Sequence, residues 1–262
     1  MNRSTLAVTV FENQYDRSTA TLFIHGFMGS ARDWSEIAAG LGGFCLGVDL
    51  PGHGDSIGLK KSDYSFARTV DLIIESLDAF RLRAVNVVGY SMGGRLALAL
   101  ACAHPDRVTH LILESASPGL KTAKERSERI NLDRDRSREI LLDFSAFLEK
   151  WYSLPLFSTF AAAPERRERI IRNRSRNRPE EIARALEGLG TGSQPSYWEA
   201  LESIKVSTTA VVGSEDDQFV QIAADMTSRT DRIERIIIPG AGHNVHLDCV
   251  KAYLQALKST LK

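Results

Sequence analysis

Three cysteines in 262 residues, at positions 45, 102 and 249, are few, odd in number and far apart, which argues against a disulfide framework and against a structural metal site. Each lies in an apolar neighbourhood, so the sequence predicts buried, reduced thiols and no metal ligands. Net charge is also absent, because 33 basic and 33 acidic side chains cancel. A chain devoted to nucleic acid usually carries a basic surplus. No apolar run approaches the roughly 20 residues that span a bilayer. The longest, Leu96 to Ala103, reads as a buried helix. Residues 1–17 lack the apolar region of a signal peptide. What remains is a cytoplasmic protein with no nucleic-acid partner, no membrane insertion and no cofactor, long enough for one large core. Composition leaves the oligomeric state open.

Against this plain background, Gly89-Tyr90-Ser91-Met92-Gly93 stands out. It follows the apolar, β-branched run Ala84-Val85-Asn86-Val87-Val88 and precedes the helix-forming Arg95-Leu96-Ala97-Leu98-Ala99-Leu100. Strand, tight turn and helix in that order hold a serine on a strained backbone with its hydroxyl clear of the sheet, and the flanking glycines let strand and helix approach. A serine hydroxyl is a poor nucleophile or base at neutral pH, so it needs an imidazole to take its proton and a carboxylate to orient that imidazole. Both partners follow in the chain. Thr209-Ala210-Val211-Val212-Gly213 runs into Ser214-Glu215-Asp216-Asp217, and Ile236-Ile237-Ile238 runs into Pro239-Gly240-Ala241-Gly242-His243. Each candidate lies just past the end of a strand, in the order serine, acid, histidine. Ser91 and His243 are thereby singled out, while Glu215, Asp216 and Asp217 compete for the third place.

A fourth element supplies donors for a developing negative charge. The strand Ala20-Thr21-Leu22-Phe23-Ile24 leads into His25-Gly26-Phe27-Met28-Gly29, so the backbone amides of Phe27 and Met92 are the expected oxyanion donors. His25 and His53, in Asp49-Leu50-Pro51-Gly52-His53-Gly54, are expected to bind backbone and shape their loops.

Strand and helix patterns alternate from Thr21 to about Ser115, with strands near 20–24, 44–48, 85–89 and 110–114 and helices near 34–41, 66–80 and 92–103. Such alternation predicts right-handed crossovers and a mainly parallel sheet. It stops at Pro118 and resumes with a strand at 208–212. The expected organisation is a core in two parts, 1–117 and 204–262, with a helical insertion at 118–203 that acts as a lid over the C-terminal ends of the strands, where ligands bind in open α/β folds.

The lid carries twelve arginines between 126 and 178, interleaved with acids. Most such residues read as solvated helix faces laced with exposed ion pairs. Arg95 is different. It lies one turn into the helix after Ser91, where a cation opposes the helix dipole, so it calls for a nearby anion: a buried carboxylate of the protein or one of the substrate.

These motifs together resemble the α/β-hydrolase superfamily over the whole chain. More narrowly, the chain is similar to the 2-succinyl-6-hydroxy-2,4-cyclohexadiene-1-carboxylate synthases of menaquinone biosynthesis. The likeness is carried also by Pro118-Gly119-Leu120, Pro155 and Phe157, Arg174-Ser175 and Gly240-Ala241-Gly242-His243-Asn244, and what narrows it is Gly94-Arg95 after the serine turn, the Arg126–Arg129 region and the Trp151-Tyr152 segment. The resemblance implies an α/β-hydrolase fold, and its G-x-x-D turn favours Asp216 as the acid beside Ser91 and His243. It also implies that Tyr90, Arg95, Arg129, Trp151 and Arg174 contact a small polycarboxylate substrate, with Arg172 and Arg176 as register alternatives to Arg174. The implied reaction is elimination of pyruvate with serine as a general base. Two alternatives stand beside it: a serine esterase, thioesterase or carbon–carbon bond hydrolase that forms an acyl-enzyme, and a non-catalytic small-ligand receptor.

Overall fold

The computed structural model describes residues 5–12 and 19–261; most of the 1–17 segment read above for a leader lies outside them. In chain order the elements are β1 Val8–Glu12, β2 Thr21–Ile24, α1 Ser35–Leu41, β3 Cys45–Val48, α2 Phe66–Ala79, β4 Val85–Tyr90, α3 Met92–Ala103 and β5 Val108–Glu114. Then come α4 Ala123–Leu142, α5 Phe144–Trp151, α6 Pro164–Arg174 and α7 Pro179–Leu189. The chain closes with β6 Thr208–Gly213, α8 Asp217–Thr227, β7 Ile233–Ile238, α9 Val245–Asp248 and α10 Val250–Thr260. Seven strands form one sheet in the order β1-β3-β2-β4-β5-β6-β7, parallel throughout except for β1, which pairs antiparallel with β3.

Alternation along each strand divides the core into two layers. Leu22, Ile24, Leu46, Val87 and Leu113 join one layer with α2 and α3, while Phe23, Cys45, Val88, Ile112 and Val211 face the other with Trp34, Ile37 and α10. The first ten residues of α3, Met92 to Ala101, are buried, as the apolar run Leu96–Ala103 requires. β1 falls outside the alternation that begins at Thr21: it is an edge strand placed by antiparallel pairing, without a crossover helix to announce it. β7 begins at Ile233, earlier than the apolar triplet 236–238 suggests. Cys45 is buried, whereas Cys102 and Cys249 are only half-buried, since each ends or precedes a helix near the surface; none of the three forms a disulfide among the described residues. Among the described residues no helix is long and apolar enough to cross a membrane.

The winding of the sheet places the site. From β2 the chain crosses to β3 on one side, and from β4 it crosses to β5 on the other, so the direction reverses between the neighbours β2 and β4. Loops that leave these two strands diverge and open a crevice at their C-terminal ends. Gly93 is where they meet most closely: a Cβ there would collide with the Ile24 and His25 carbonyl oxygens. Backbone oxygens cannot rotate away as a flexible side chain can. Gly93→Ala is therefore expected to destabilise the fold by about 3 kcal/mol or more, read as a lowered urea midpoint; an unchanged midpoint would contradict this packing.

Helices α4 to α7 are inserted between β5 and β6, and residues of the insertion line the cavities beside Ser91. The inner faces of these helices form a third apolar cluster, with Ile140, Phe147, Leu148, Phe157, Ile182 and Leu186 packed around Met28 from the loop after β2. Polar contacts fasten the insertion at its edges. Glu181 accepts hydrogen bonds from the Tyr64 hydroxyl and, at 3.1 Å, from the Gly58 amide, and Asn177 Nδ2 donates to the Met28 carbonyl at 2.9 Å.

Candidate active site

Ser91 sits between β4 and α3 with φ 50° and ψ −110°, a left-handed backbone uncommon for a residue with a Cβ. Its amide donates to the Glu114 carbonyl at 2.9 Å, which anchors the turn to the next strand. Ser91 Oγ lies 3.1 Å from His243 Nε2, and His243 Nδ1 lies 2.7 Å from Asp216 Oδ2. A carboxylate only accepts, so Nδ1 carries the proton and Nε2 is left with the lone pair that faces the serine. Of the three neighbouring acids, only Asp216 reaches the histidine in this way. Glu215 is turned outward to accept from the Ser214 hydroxyl at 3.0 Å, and Asp217 is an exposed first residue of α8. Phe219 stands edge-on to the imidazole with ring centres 4.6 Å apart, and Phe157 of the lid approaches it from another side at 6.1 Å.

The loop after β2 is shaped by its two histidines. His25 Nδ1 donates to the Gly26 carbonyl (2.7 Å) and Nε2 accepts from the Leu50 amide (3.0 Å). His53 repeats the pattern, with Nδ1 bound to the Pro51 carbonyl at 3.0 Å and Nε2 to the Met28 amide at 3.0 Å. Burial lowers the affinity of both rings for a second proton, which keeps each in the one tautomer its two backbone partners require. The amides of Phe27 and Met92, by contrast, have no acceptor among the described residues. Both residues border the cavity above Ser91.

That cavity encloses about 260 Å³ and has Ser91 and His243 on its floor. Arg95 and Arg129 line one end of it, and Trp151 of the lid contributes to its wall. Arg129 is ion-paired with Asp133 at 2.8 Å, and Arg136 shares the same carboxylate at 3.6 Å. Arg95 is 8% exposed yet pairs with no carboxylate among the described residues; its Nη1 reaches only the Gln194 side-chain oxygen, at 3.4 Å. Burial, reinforced by the charge of Arg129, pushes the Arg95 guanidinium down to about 9. Of the two anions that could answer Arg95, the protein does not provide one within pairing distance.

Arg174 lies on the other side of Ser91, beside a smaller recess of about 40 Å³ that Tyr90 and Trp151 also line. It is not free. Both of its terminal nitrogens grip Asp33 at 2.8 Å in a two-pronged pair. Burial disfavours both charges, yet the pair outweighs it: Asp33 is held below the usual carboxylate range by Arg174, and Arg174 is raised by Asp33 and the neighbouring Tyr152. The register alternatives fall elsewhere, Arg172 on an outer groove of α6 and Arg176 near the surface loop of Arg32 and Asp55. Tyr90 packs edge-on to the rings of His243 and His246. Beneath it, His246 donates from its amide (3.0 Å) and lies with Nδ1 2.7 Å from the fully buried Glu114 carboxylate.

Three participants carried no sequence signal. Gln194 bridges Arg95 to the Ser117 carbonyl, which its Nε2 reaches at 3.2 Å. Asp33 neutralises Arg174, and Glu114 holds His246. All pair with residues far away in the chain, where neither periodicity nor motif spacing applies.

Comparison with known proteins accords with this arrangement. The family described as alpha/beta hydrolase fold matches residues 20–249. A protein of Bacillus subtilis (strain 168), provisionally named 2-succinyl-6-hydroxy-2,4-cyclohexadiene-1-carboxylate synthase, is 40% identical over 88% of this chain and 86% of its own. The enzyme of that name from Enterobacter sp. (strain 638) is 33% identical over 92% of this chain and 91% of its own. Among solved structures, MenH from S. aureus superposes with a TM-score of 0.92 at 29% identity, covering 97% of both chains. The chain belongs to the α/β-hydrolase fold family and is homologous to the 2-succinyl-6-hydroxy-2,4-cyclohexadiene-1-carboxylate synthases within it.

Proposed function

We propose that this chain is a carbon–oxygen lyase of menaquinone biosynthesis. It removes pyruvate from 2-succinyl-5-enolpyruvyl-6-hydroxy-3-cyclohexene-1-carboxylate and leaves 2-succinyl-6-hydroxy-2,4-cyclohexadiene-1-carboxylate. The observation that carries the reading is the hydrogen-bonded line from Asp216 through His243 to Ser91, opening on a cavity lined by a buried arginine, Arg95, that forms no ion pair with a carboxylate among the described residues. Homology to enzymes of that name supplies the substrate.

In this reaction Ser91 is a base. His243 takes the serine proton, and the resulting alkoxide abstracts the proton α to the succinyl carbonyl. Asp216 stabilises the imidazolium. Charge that develops on the carbonyl oxygen is met by the Phe27 and Met92 amides, which are available as donors. Electrons from the broken C–H bond then move through the ring, whose double bond shifts as the C–O bond to the enolpyruvyl group breaks. The departing pyruvate enolate takes the proton held by His243, so serine and histidine both return to their starting states. Arg95 and Arg129, with Tyr90 and Trp151, bind and orient the carboxylate-bearing substrate, while Arg174, paired with Asp33, borders the recess on the other side of Ser91 and contacts substrate from there; as a unit, 118–203 forms the lid over the two-part core.

The test follows pyruvate by a coupled dehydrogenase assay. Stoichiometric pyruvate release without an initial burst is expected, because no acyl-enzyme accumulates. Absence of pyruvate, together with burst release from activated esters or acyl thioesters, would replace the reading with a serine hydrolase; tight binding without turnover would replace it with a receptor.

A further inference from the structure

We propose that Asp248 is a positioning residue that makes the placement of His243 depend on the docking of the lid. The proposal rests on the role given to His243 above. Asp248 ends α9, and its side chain is only 3% exposed. Its Oδ2 accepts from the Gly242 amide at 2.8 Å, directly before His243, and from the Thr159 hydroxyl at 3.0 Å. Its Oδ1 accepts from Arg166 Nη1 at 2.8 Å. Thr159 and Arg166 both belong to the insertion. One buried carboxylate thus holds the histidine loop with one oxygen and the lid with both.

The two surfaces are in intimate contact at this point. A Cβ added at Gly242 would lie 2.8 Å from Thr159 Cγ2, so the lid side chain rests on the loop that carries the histidine. On its other side the loop is held within the core, where the Ala241 carbonyl accepts from the Glu215 amide at 2.9 Å. That bond fixes the Asp216 side of the loop and is independent of the insertion. Asp248 supplies the opposing hold, and its partners are what make the hold possible: a buried carboxylate is tolerated only while cation and hydroxyl satisfy it. When the lid lifts, Thr159 and Arg166 leave, and the single Gly242 amide is left to a charge that then seeks water. His243 loses its fixed distance to Ser91, and proton transfer is sensitive to shifts of that size. Closure over a substrate therefore completes the base as well as the cavity.

The experiment compares the parent with Asp248→Asn, with the lid pair Thr159→Val/Arg166→Gln, and with the triple variant. Two rates are measured: pyruvate release, resolved into kcat and KM, and phosphonylation of Ser91 by a fluorophosphonate, which needs the histidine but not the natural substrate. Asp248→Asn is expected to lower kcat and the phosphonylation rate together by about tenfold, with KM changed by less than about threefold. The lid pair should reproduce part of both losses, and the triple variant should be no slower than Asp248→Asn, since the effects share one route. Thr159 and Arg166 are partly exposed, so the lid pair decides the matter even where Asp248→Asn fails to fold. Unchanged phosphonylation in the lid pair, a loss confined to KM, or losses that multiply in the triple variant would each overturn the proposal. A parent that is phosphonylated yet releases no pyruvate would overturn the proposed reaction instead, and the labelling rates would still decide for or against Asp248.

Discussion

Ser91→Ala is expected to lower pyruvate release by about 10³-fold or more while changing substrate affinity by no more than a few fold. The alanine keeps the backbone and removes only the oxygen that stands 3.1 Å from His243 Nε2. Without that oxygen the imidazole is left too far back to take the α proton itself, and what survives is the contribution of the oxyanion amides and of binding. His243→Ala should cost a similar factor, and the double variant little more, because serine and histidine act as one proton relay. Initial rates of pyruvate formation at saturating substrate measure all three. A Ser91→Ala rate within tenfold of the parent would remove serine from the reaction.

Arg95→Met should separate function from stability in opposite directions. Charge-assisted hydrogen bonds to a carboxylate are worth on the order of 1.5–3 kcal/mol, so kcat/KM is expected to fall by roughly tenfold to a hundredfold or more. The ligand-free protein, however, should gain stability. Arg95 is buried, opposes the dipole of α3, feels Arg129 nearby, and has a neutral amide at 3.4 Å and the charge of Asp133, beyond pairing distance, as its offsets to desolvation. An unbranched thioether of similar length fills the same space without that cost, and exchanges of this kind commonly yield about 1 kcal/mol or more. In a chain of this size that is a rise in Tm of roughly 2–4 °C. Arg95→Lys should keep the charge but lose the planar fork, and recover only part of the activity. A methionine variant that melts at lower temperature would show that Arg95 is structural and not an unfilled ligand.

What could be read from the sequence is what local chemistry constrains. The strand, turn and helix around Ser91 are forced by glycines that must let backbones touch, and the ends of β6 and β7 are marked by apolar runs that break at Glu215-Asp216 and Pro239-Gly240. From these, Ser91 and His243 could be named, and the family resemblance favoured Asp216 among three neighbouring acids, before their side chains were seen within hydrogen-bonding distance. The inserted helices were legible as an interruption, because a helical, charged stretch cannot continue a buried parallel sheet. Their contacts were not. Arg174 gives no hint that Asp33 will meet it, nor Arg95 that Gln194 will, since each pair depends on how the insertion docks on the core. The same holds for Asp248, whose place in the short α9 looks unremarkable until Thr159 and Arg166 arrive from the lid. β1 escaped for another reason: an edge strand in antiparallel pairing has no crossover helix to declare it.

The insertion between β5 and β6 also sets the order in which activity is acquired during folding. The pairing of Leu111–Glu114 with Thr208–Val211 joins segments separated by the whole insertion, and closing so long a loop is slow compared with local crossovers. Until it closes, the first half of the chain can already hold the serine turn and the oxyanion loop, since β2, β3, β4 and β5 are neighbours. It lacks Asp216 and His243, because both hang from strands that join the sheet only through β5. In refolding, the return of turnover is therefore expected to follow the capture of the C-terminal half rather than the formation of the first half.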